Sequence, residues 1–306
     1  MNNLFGGVYQ NKRCLITGHT GFKGAWLIYW LKKLNANVKG YSLNSQSDPN
    51  HFKLLDLNNH SIIGNILDHK MLDKTISDFK PEIVFHLAAQ SLVKYSYKNP
   101  IETYETNVIG TLKVYEACKR SESVRAIINV TSDKCYENTE LKLPYRESDR
   151  MGGYDPYSSS KGCSELLTSS YRRSFLKEGN ILLASVRAGN VIGGGDWSEN
   201  RLVPDIVKSV TKKRVIEIRC PNSTRPWQHV LEPLSGYLAL GQKLMQNEEK
   251  YACGWNFGPS ESSVVNVLDF VNIAKLYWPE IMIEISSDYH DHEAGYLSLD
   301  SSKAYD

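Results

Sequence analysis

The sequence lacks the features that mark membrane, secreted and nucleic-acid-binding proteins. No apolar run reaches the length that spans a bilayer, and the first residues do not follow a signal-peptide pattern. The sequence has 36 Lys and Arg residues and 34 Asp and Glu residues. The resulting net charge of +2 is too small to attract nucleic acid or an anionic membrane surface strongly. We therefore expect a cytoplasmic protein with a small-molecule partner, no nucleic acid and no membrane.

Disulfide and metal-ligand patterns are also missing. The six cysteines are scattered without a C-x-x-C pair, which argues against both disulfides and a zinc site. The run His290-Asp291-His292-Glu293 has the residue types of a metal site, but its spacing suits neither one helix face nor a known ligand pattern. We predict no metal.

A glycine-rich turn, Gly18-His19-Thr20-Gly21-Phe22-Lys23-Gly24, lies near the N-terminus. It follows an apolar run at 14–17 and opens into a segment with helical spacing. Strand, glycine turn and helix together place a pyrophosphate on a helix N-terminus. Gly18 suits the tight turn, Gly21 the close approach of backbone to phosphate, and Gly24 the packing of helix on strand. Such glycines also occur in turns that bind nothing, so the rest of the chain must decide.

Strands and helices alternate along the chain after this turn. Buried-type strands are predicted at 82–87, 125–130 and 181–187, and helices at about 99–119 and 156–176. This alternation is typical of an α/β fold, and it predicts a Rossmann-like doubly wound parallel sheet.

The character of the sequence changes at about residue 190, where segments shorten and prolines punctuate them. We expect a dinucleotide-binding domain at 1–189 and a smaller C-terminal substrate-binding lobe at 190–306, with some strands of the lobe returning to the main sheet. The second predicted strand ends in Ser42-Leu43-Asn44, without an acid for the ribose hydroxyls. That position therefore does not choose between NAD and NADP.

Two later positions have compositions that suit a ligand site. Ala88 and Ala89 follow the strand at 82–87, where small residues let a cofactor approach the backbone or simply pack in a core. Asn107 stands in the middle of a predicted helix close to Gly110, which costs helix propensity. We interpret Asn107 as having a specific hydrogen-bonding role.

Tyr157 and Lys161 bring together a phenol and an ammonium one helical turn apart on the same face. A nearby lysine lowers the pKa of a tyrosine, which makes it a usable acid or base near neutral pH. The Tyr-x-x-x-Lys pattern is common on helix surfaces. Its position after the glycine turn and after the polar strand end at 131–136 favours a catalytic pair.

These motifs together resemble the extended short-chain dehydrogenase/reductases, and within them the sugar-nucleotide dehydratases and epimerases. The likeness is strongest to the CDP-glucose 4,6-dehydratases. It is carried by the glycine turn and by the segments 131–136, 152–163, 187–197 and 225–230, and it covers essentially the whole chain. The resemblance implies tightly bound NAD, CDP-glucose as substrate, and a homodimer formed through the helices at 99–119 and 156–176.

The resemblance also implies a redox-neutral reaction cycle. Tyr157 takes the proton of the sugar's 4-hydroxyl while hydride passes from C4 to the nicotinamide. Ser132 hydrogen-bonds the 4-oxygen, and Lys161 holds the cofactor ribose. The 4-ketone acidifies the C5 proton, Asp133 protonates the departing 6-hydroxyl, and hydride returns to C6.

Lys134 distinguishes this sequence from the better-known dTDP-glucose dehydratases, which have an Asp-Glu pair here. Its Asp-Lys pair resembles the CDP-glucose type. Lys134 acts as the C5 base if its pKa is lowered, or it stays charged and stabilises the enolate. An ion pair with Asp133 or another acid is the purely structural alternative.

Site residues follow from the motifs and the resemblance. The predicted catalytic residues are Ser132, Asp133, Lys134, Tyr157 and Lys161. The predicted cofactor-binding residues are Gly18, Thr20, Gly21, Phe22, Gly24, Asn65, Ile66, Leu87, Ala88, Ala89, Asn107, Tyr157 and Lys161. The predicted substrate-binding residues are Gln90, Asn190, Arg201, Arg225 and His229, the arginines because they suit bidentate phosphate contacts.

Two departures from the family pattern and three alternatives remain. Asn65 replaces an acid that the family often has near the adenine. The chain ends at Asp306, where relatives usually continue, so we expect either a truncated product with an incomplete lobe or a natural short form. A UDP-sugar 4-epimerase has no need of Asp133 and Lys134, and a dTDP-sugar 4,6-dehydratase shares most of the motifs. A non-catalytic nucleotide-sugar-binding or NAD-binding protein is expected to have lost Tyr157 or Lys161.

Overall fold

A computed structural model describes residues 3–45, 47–176, 179–260, 263–286 and 295–306. The strands are β1 Arg13–Thr17, β2 Asn37–Ser42, β3 Ser61–Ile63, β4 Ile83–His86, β5 Ala126–Val130, β6 Leu182–Ala188, β7 Val191–Ile192, β8 Ile216–Ile218, β9 Thr224–Pro226, β10 Gln228–His229, β11 Gly254–Phe257, β12 Val264–Asn266 and β13 Ile283–Ile285. The α-helices are α1 Phe22–Lys33, α2 His51–Leu54, α3 His69–Phe79, α4 Val93–Lys98, α5 Pro100–Tyr104, α6 Thr111–Lys119, α7 Pro156–Tyr171, α8 Leu202–Thr211, α9 Leu231–Met245, α10 Val267–Tyr277 and α11 Ser302–Tyr305.

Seven parallel strands form the central sheet, in the order β11-β6-β5-β4-β1-β2-β3. Strands β4 and β5 are buried along their whole length, as apolar strands covered on both faces are. The chain order reverses between β1 and β4, and a sheet of this kind binds its ligand outside the carboxyl ends at such a point. The predicted doubly wound parallel sheet is confirmed.

Helices cover both faces of the sheet. One apolar core joins α1 and α9 to one face, through residues such as Ile28 and Leu238. A second core joins α3, α6 and α7 to the other face, through residues such as Ile76 and Val114. The carboxyl ends of the strands therefore remain as the open rim between two helical layers.

The helix predicted at 99–119 is broken in a way the sequence pattern did not reveal. The segment is preceded by α4 and begins at Pro100 after Asn99, which has non-helical backbone angles. It widens into a π-helical segment at Glu105–Gly110 before α6. π-Helical turns are often found at functional sites. The helix predicted at 156–176 is observed as α7 followed by a π-helical segment at Arg172–Leu176.

Residues after 190 form three two-stranded sheets and a small core of their own. The pairs are β10 with β7, β12 with β9, and β13 with β8. The small core includes Ile206, Ile218 and Val271. Two elements from this part of the chain belong to the main sheet and its core instead. Strand β11 pairs with β6, and helix α9 packs on the same face of the sheet as α1.

No helix in the described ranges is both long and apolar enough to cross a membrane. All six cysteines are free thiols. Among the described residues no group of three or more His, Cys, Asp or Glu side chains could hold a metal ion. The run His290-Asp291-His292-Glu293 lies outside the described residues.

Candidate active site

The glycine turn is packed so tightly that two of its glycines cannot be replaced. Gly18 has φ of +72°, and a Cβ there would lie 2.6 Å from the backbone nitrogen of Ala88. A Cβ on Gly24 would lie 2.3 Å from the carbonyl oxygen of Gly18. Thr20 donates a hydrogen bond of 2.9 Å to the carbonyl of Leu43 and so ties the turn to the end of β2. The tight turn at Gly18 and the close packing at Gly24 are as predicted, and the cofactor contacts of both glycines stay predictions.

The residues at this turn fit the pyrophosphate of NAD. Helix α1 begins at Phe22 with Gly21 as its N-cap, and Gly21 has no side chain to satisfy the first amides of the helix. A Cβ on Gly21 would meet only the Gly18 carbonyl, at 3.3 Å, so its outer side is open. The first turn contains no acidic side chain. Free amides and the positive end of the helix dipole form the donor set that an anion requires.

Asn107 ties the π-helical segment to the end of β4. Its Nδ2 donates to the carbonyl of Gln90 at 2.9 Å and to Ser160 Oγ at 2.8 Å, and its Oδ1 accepts from the Gln90 amide at 2.9 Å. The predicted hydrogen-bonding role of Asn107 is confirmed. The side chain of Gln90 makes two hydrogen bonds. Its Nε2 donates to Thr103 Oγ1 at 2.9 Å, and its Oε1 accepts from the Leu92 amide at 2.6 Å. Contacts of Asn107 with the cofactor and of Gln90 with substrate stay predictions.

The other predicted adenine-side and strand-end residues lie around the same rim. Asn65 Oδ1 accepts from the Leu67 amide at 2.9 Å, and its carbonyl accepts from the hydroxyl of Tyr41. Ile66 is buried against Gly110 in the π-helical segment. Leu87, Ala88 and Ala89 follow β4 directly and are partly buried.

Ser132 and Asp133 follow β5 at its carboxyl end. Ser132 caps a single helical turn at Asp133–Cys135 by accepting from the Lys134 amide at 3.2 Å, and it donates to Asp133 Oδ1 at 3.0 Å. Asp133 is buried, and its Oδ2 has no hydrogen-bond partner among the described residues. Burial raises the pKa of Asp133, although Lys134, Ser132, Arg225 and Lys23 each lower it. A raised pKa is what a carboxyl group needs to act as an acid.

Lys134 lies beside Asp133 on the wall of the cavity. Its charge lowers the pKa of Asp133. No salt bridge within 4.0 Å joins Lys134 to a carboxylate in the described ranges. The ion-pair alternative is therefore not what the structure shows.

Tyr157 and Lys161 lie in the first two turns of α7, which Asp155 caps by accepting from the Ser158 amide at 3.0 Å. Lys161 Nζ donates to the carbonyl of Val130 at 3.2 Å, and burial lowers its pKa to about 8. Burial raises the pKa of Tyr157 to about 12, and a hydrogen bond with Ser132 opposes this only in part. The predicted lowering of the tyrosine pKa is therefore wrong for the polypeptide by itself, because burial outweighs the favourable charges.

A buried ion pair fixes α7 against β5 and β6. Arg187 Nη2 lies 2.8 Å from Glu165 Oε2, and both side chains are 5% exposed or less. Glu165 also accepts from Ser185 Oγ at 2.7 Å and from Thr131, the residue before Ser132. Arg187 donates to the hydroxyl of Tyr136 at 2.6 Å. This network fixes the strand end that carries Ser132.

One cavity of about 1140 Å³ joins the two parts of the chain. It is large enough for a nucleotide sugar. Predicted residues of both kinds line it: Ser132, Asp133, Lys134 and Tyr157 from the catalytic set, with Asn190, Arg201 and Arg225 from the substrate set.

Three of the predicted substrate residues line the cavity, and two lie elsewhere. Arg201 pairs with Asp196 at 2.9 Å, and Arg225 is buried close enough to Asp133 to lower its pKa. Gln90 and His229 are not among the lining residues within the described ranges. His229 is exposed, and its Nδ1 accepts from the Leu231 amide at 3.3 Å.

Several cations that line the cavity were missed by sequence reasoning. They are Lys23, Lys94, Lys98, Lys208 and Arg219. Most of them come from separate elements, so no motif connects them. Lys23 did carry a signal, because a lysine in the first turn of a helix faces the positive end of the dipole and needs an anionic partner.

Comparisons with known proteins give the site a family context. The sequence profile "GDP-mannose 4,6 dehydratase" matches residues 15–289. The CDP-glucose 4,6-dehydratase of Salmonella typhimurium is 50% identical over 304 residues, which is 97% of this chain and 85% of the relative. Two solved structures share the fold. An epimerase from Methanothermobacter thermautotrophicus has a TM-score of 0.84 at 24% identity, covering 97% of this chain and 86% of that one. The dTDP-glucose 4,6-dehydratase of Bacillus anthracis, in complex with NAD, has a TM-score of 0.77 at 18% identity, covering 96% and 89%.

Proposed function

The chain belongs to the GDP-mannose 4,6-dehydratase family, and from its site we propose that it converts CDP-D-glucose to CDP-4-keto-6-deoxy-D-glucose and water. The observation that carries the proposal is the single cavity lined by Ser132, Asp133, Lys134 and Tyr157. An acid, a base and a hydrogen-bond donor around one cavity are what a dehydration requires. The Salmonella relative supports CDP-glucose as the substrate.

NAD, when bound, supplies a cationic hydride acceptor that takes hydride from C4 and returns it to C6. In this proposal the domain at 1–189 holds the cofactor and the lobe at 190–306 holds most of the substrate. The amides behind Gly21 bind the pyrophosphate, and Lys161 binds the ribose. Arg201 and Arg225 bind the diphosphate of the sugar nucleotide, since guanidinium groups suit bidentate phosphate contacts.

Tyr157 and Ser132 act on the 4-hydroxyl of the sugar. Ser132 holds the 4-oxygen, and Tyr157 accepts the proton as C4 is oxidised. Because burial raises the pKa of Tyr157 to about 12, the phenolate must be stabilised by positive charge from Lys161 and the cofactor.

Asp133 and Lys134 carry out the elimination of water. Asp133 gives its proton to the 6-hydroxyl, whose C–O bond breaks to release water. Lys134 acts at C5, either as the base that takes the proton and later returns it or as the charge that stabilises the enolate while another group takes and returns the proton. After one cycle Tyr157 has gained a proton and Asp133 has lost one. Ser132 donates to Asp133 Oδ1 and is close enough to Tyr157 to lower the pKa of its phenol. Ser132 is therefore placed to pass that proton back.

The experiment that tests this function is incubation with CDP-, dTDP- and UDP-glucose, followed by mass spectrometry. We expect CDP-glucose to lose one water without stoichiometric consumption of NAD. An epimerase would give a product of unchanged mass, and a non-catalytic protein would bind without turnover. Activity confined to UDP- or dTDP-glucose would overturn the substrate assignment.

The protein also assembles, in this proposal, as a homodimer through the helices around α5 and α7. Ile101, Ile109, Leu166 and Phe175 are large apolar side chains that are 45–74% exposed on these neighbouring segments. A C2 dimer is the commonest closed arrangement for such a face. Light scattering at micromolar concentration should give twice the mass of the chain, and Leu166→Asp should shift it toward the monomer. A monomer in the parent protein would contradict the proposal.

A further inference from the structure

Lys23 lines the catalytic cavity but has no part in the reaction described above. It is the second residue of α1, directly behind the glycine turn, and it is partly buried. The positive end of the helix dipole disfavours a cation there. The first turn of α1 also lacks an acidic residue that would compensate the charge.

Among the described residues the ammonium group of Lys23 has a cation–π contact with Tyr237 but no hydrogen-bonding partner. In the part of the chain that the structure describes, this group forms neither a hydrogen bond nor an ion pair. It lies 5.9 Å from the ring centroid of Tyr237, a buried residue of α9. Burial and the charges of Arg201 and Lys161 lower the pKa of Lys23 to about 8, whereas Asp133 raises it. Lys23 is therefore mainly charged at neutral pH and lies within electrostatic range of Asp133.

One carboxylate oxygen of Asp133 has no hydrogen-bond partner among the described residues. Its Oδ1 accepts from Ser132, but Oδ2 is buried without a hydrogen bond in the described structure. Lys134, Arg225 and Lys23 are the three cations that lower its pKa. Lys134 is assigned to C5, and Arg225 donates to the Thr224 carbonyl at 2.9 Å. Lys23 is the cation without such a task.

We propose that Lys23 is a positioning residue for the elimination, in which it stabilises the carboxylate that Asp133 becomes on giving its proton to the leaving hydroxyl. The proposal rests on the proposed function. In this step the O–H bond of Asp133 and the C6–O bond of the sugar break, and water forms. The electron pair of that O–H bond stays on Asp133, and the pair of the C6–O bond leaves with the oxygen of the water. The base at C5 takes the C5 proton, and the pair of the C5–H bond forms the C5–C6 double bond. Lys23 keeps its proton throughout.

The sign of the pH effect follows from the role of Asp133 as an acid. Activity falls as pH rises through the pKa of Asp133, because the carboxyl group must be protonated. Removing Lys23 raises that pKa, so the fall in activity moves to higher pH. The titratable and charged groups that interact with Asp133 or Lys23 are Lys134, Cys135, Arg225, Tyr157, Tyr237, Arg201 and Lys161.

The test compares Lys23→Met with Lys23→Arg, which keeps the charge, and with Lys32→Met, an exposed lysine on the same helix. We expect Lys23→Met to lower kcat on the order of tenfold, to leave KM nearly unchanged, and to move the alkaline limb up by about one pH unit. Lys23→Arg should recover much of the rate, and Lys32→Met should match the parent protein. Bound NADH should accumulate in Lys23→Met, because C4 oxidation precedes the impaired step.

Two binding measurements separate this role from simpler ones. NAD content after purification and CDP affinity by calorimetry should both be unchanged in Lys23→Met. Loss of NAD would assign Lys23 to the cofactor pyrophosphate, and weaker CDP binding would assign it to the substrate. If Lys23→Met loses NAD or binds CDP more weakly, and the pH dependence of its activity is the same as in the parent protein, the proposal is overturned.

An infrared titration tests the coupling without substrate. The carbonyl band of protonated Asp133, identified by its loss in Asp133→Asn, should persist to higher pH in Lys23→Met than in the parent protein. An identical titration in both overturns the proposal. If the parent protein does not dehydrate CDP-glucose, the proposed function fails, while this titration still reports on Lys23 and Asp133.

Discussion

Glu165→Gln should strongly destabilise the protein, because it leaves the charge of Arg187 buried without a counter-ion. The two side chains lie 2.8 Å apart and are 3% and 5% exposed. Breaking such a pair from one side typically costs about 3–5 kcal/mol. Three hydrogen bonds to Glu165, from Arg187, Ser185 and Thr131, are lost or weakened with it. We therefore expect a loss of about 4 kcal/mol in the free energy of unfolding.

Thermal and urea unfolding measure this loss. At roughly 2 °C per kcal/mol for a chain of this size, Tm should fall by about 8 °C. The matched control is Asp78→Asn, which breaks the Lys74–Asp78 pair of 2.6 Å on the exposed face of α3, and which should cost about 0.5 kcal/mol or less. Replacing both buried charges, as Glu165→Gln with Arg187→Met, should recover part of the loss. A Tm change for Glu165→Gln no larger than that of the control would refute the reasoning.

Three further predictions concern the reaction and its pH range. Tyr157→Phe should lower kcat by about 10²–10⁴ with little change in CDP affinity, measured by steady-state kinetics and calorimetry, and a rate within a few-fold of the parent would make the phenol dispensable. Lys134→Met should accumulate bound NADH and 4-keto sugar. If exchange of the C5 proton with deuterated water is lost completely, Lys134 is the base, and if the exchange is only slowed, its role is electrostatic. Loss of C4 oxidation would contradict both roles. His86 and His19 should weaken the fold in acid. Burial is the main cause that lowers their pKa values to about 3 and 4, so below pH 6.5 the unfolded chain binds more protons, and urea titrations should show stability falling from pH 6.5 toward pH 4.

The sheet and its glycine turn were predictable because they depend on local pattern. Apolar runs alternating with helical spacing specify a doubly wound sheet, and Gly18 and Gly24 stand where a Cβ would collide with neighbouring backbone. Asn107 was also recognisable, since its cost within a helix indicated a compensating bond. Its partner Gln90, 17 residues away at the end of β4, was not.

What the sequence could not supply depends on distant elements. The raised pKa of Tyr157 arises from burial, which the spacing to Lys161 does not report. Lys23 was given no role beyond its place in the glycine turn, because the fold alone brings it to the same cavity as Asp133. His229 belongs to a specific motif, yet its ring is exposed at the end of β10 rather than at the cavity.

The return of β11 to the main sheet has a consequence for any attempt to divide the protein. Seven-residue β6 is almost wholly buried, and β11 covers its outer hydrogen-bonding edge. A fragment that stops near residue 190 would expose that edge as a long, flat, apolar strand, a template for pairing with other chains. It would also uncover the apolar face on which α9 lies. Such a fragment should aggregate unless residues 231–257 are supplied in the same polypeptide or as a complementing peptide.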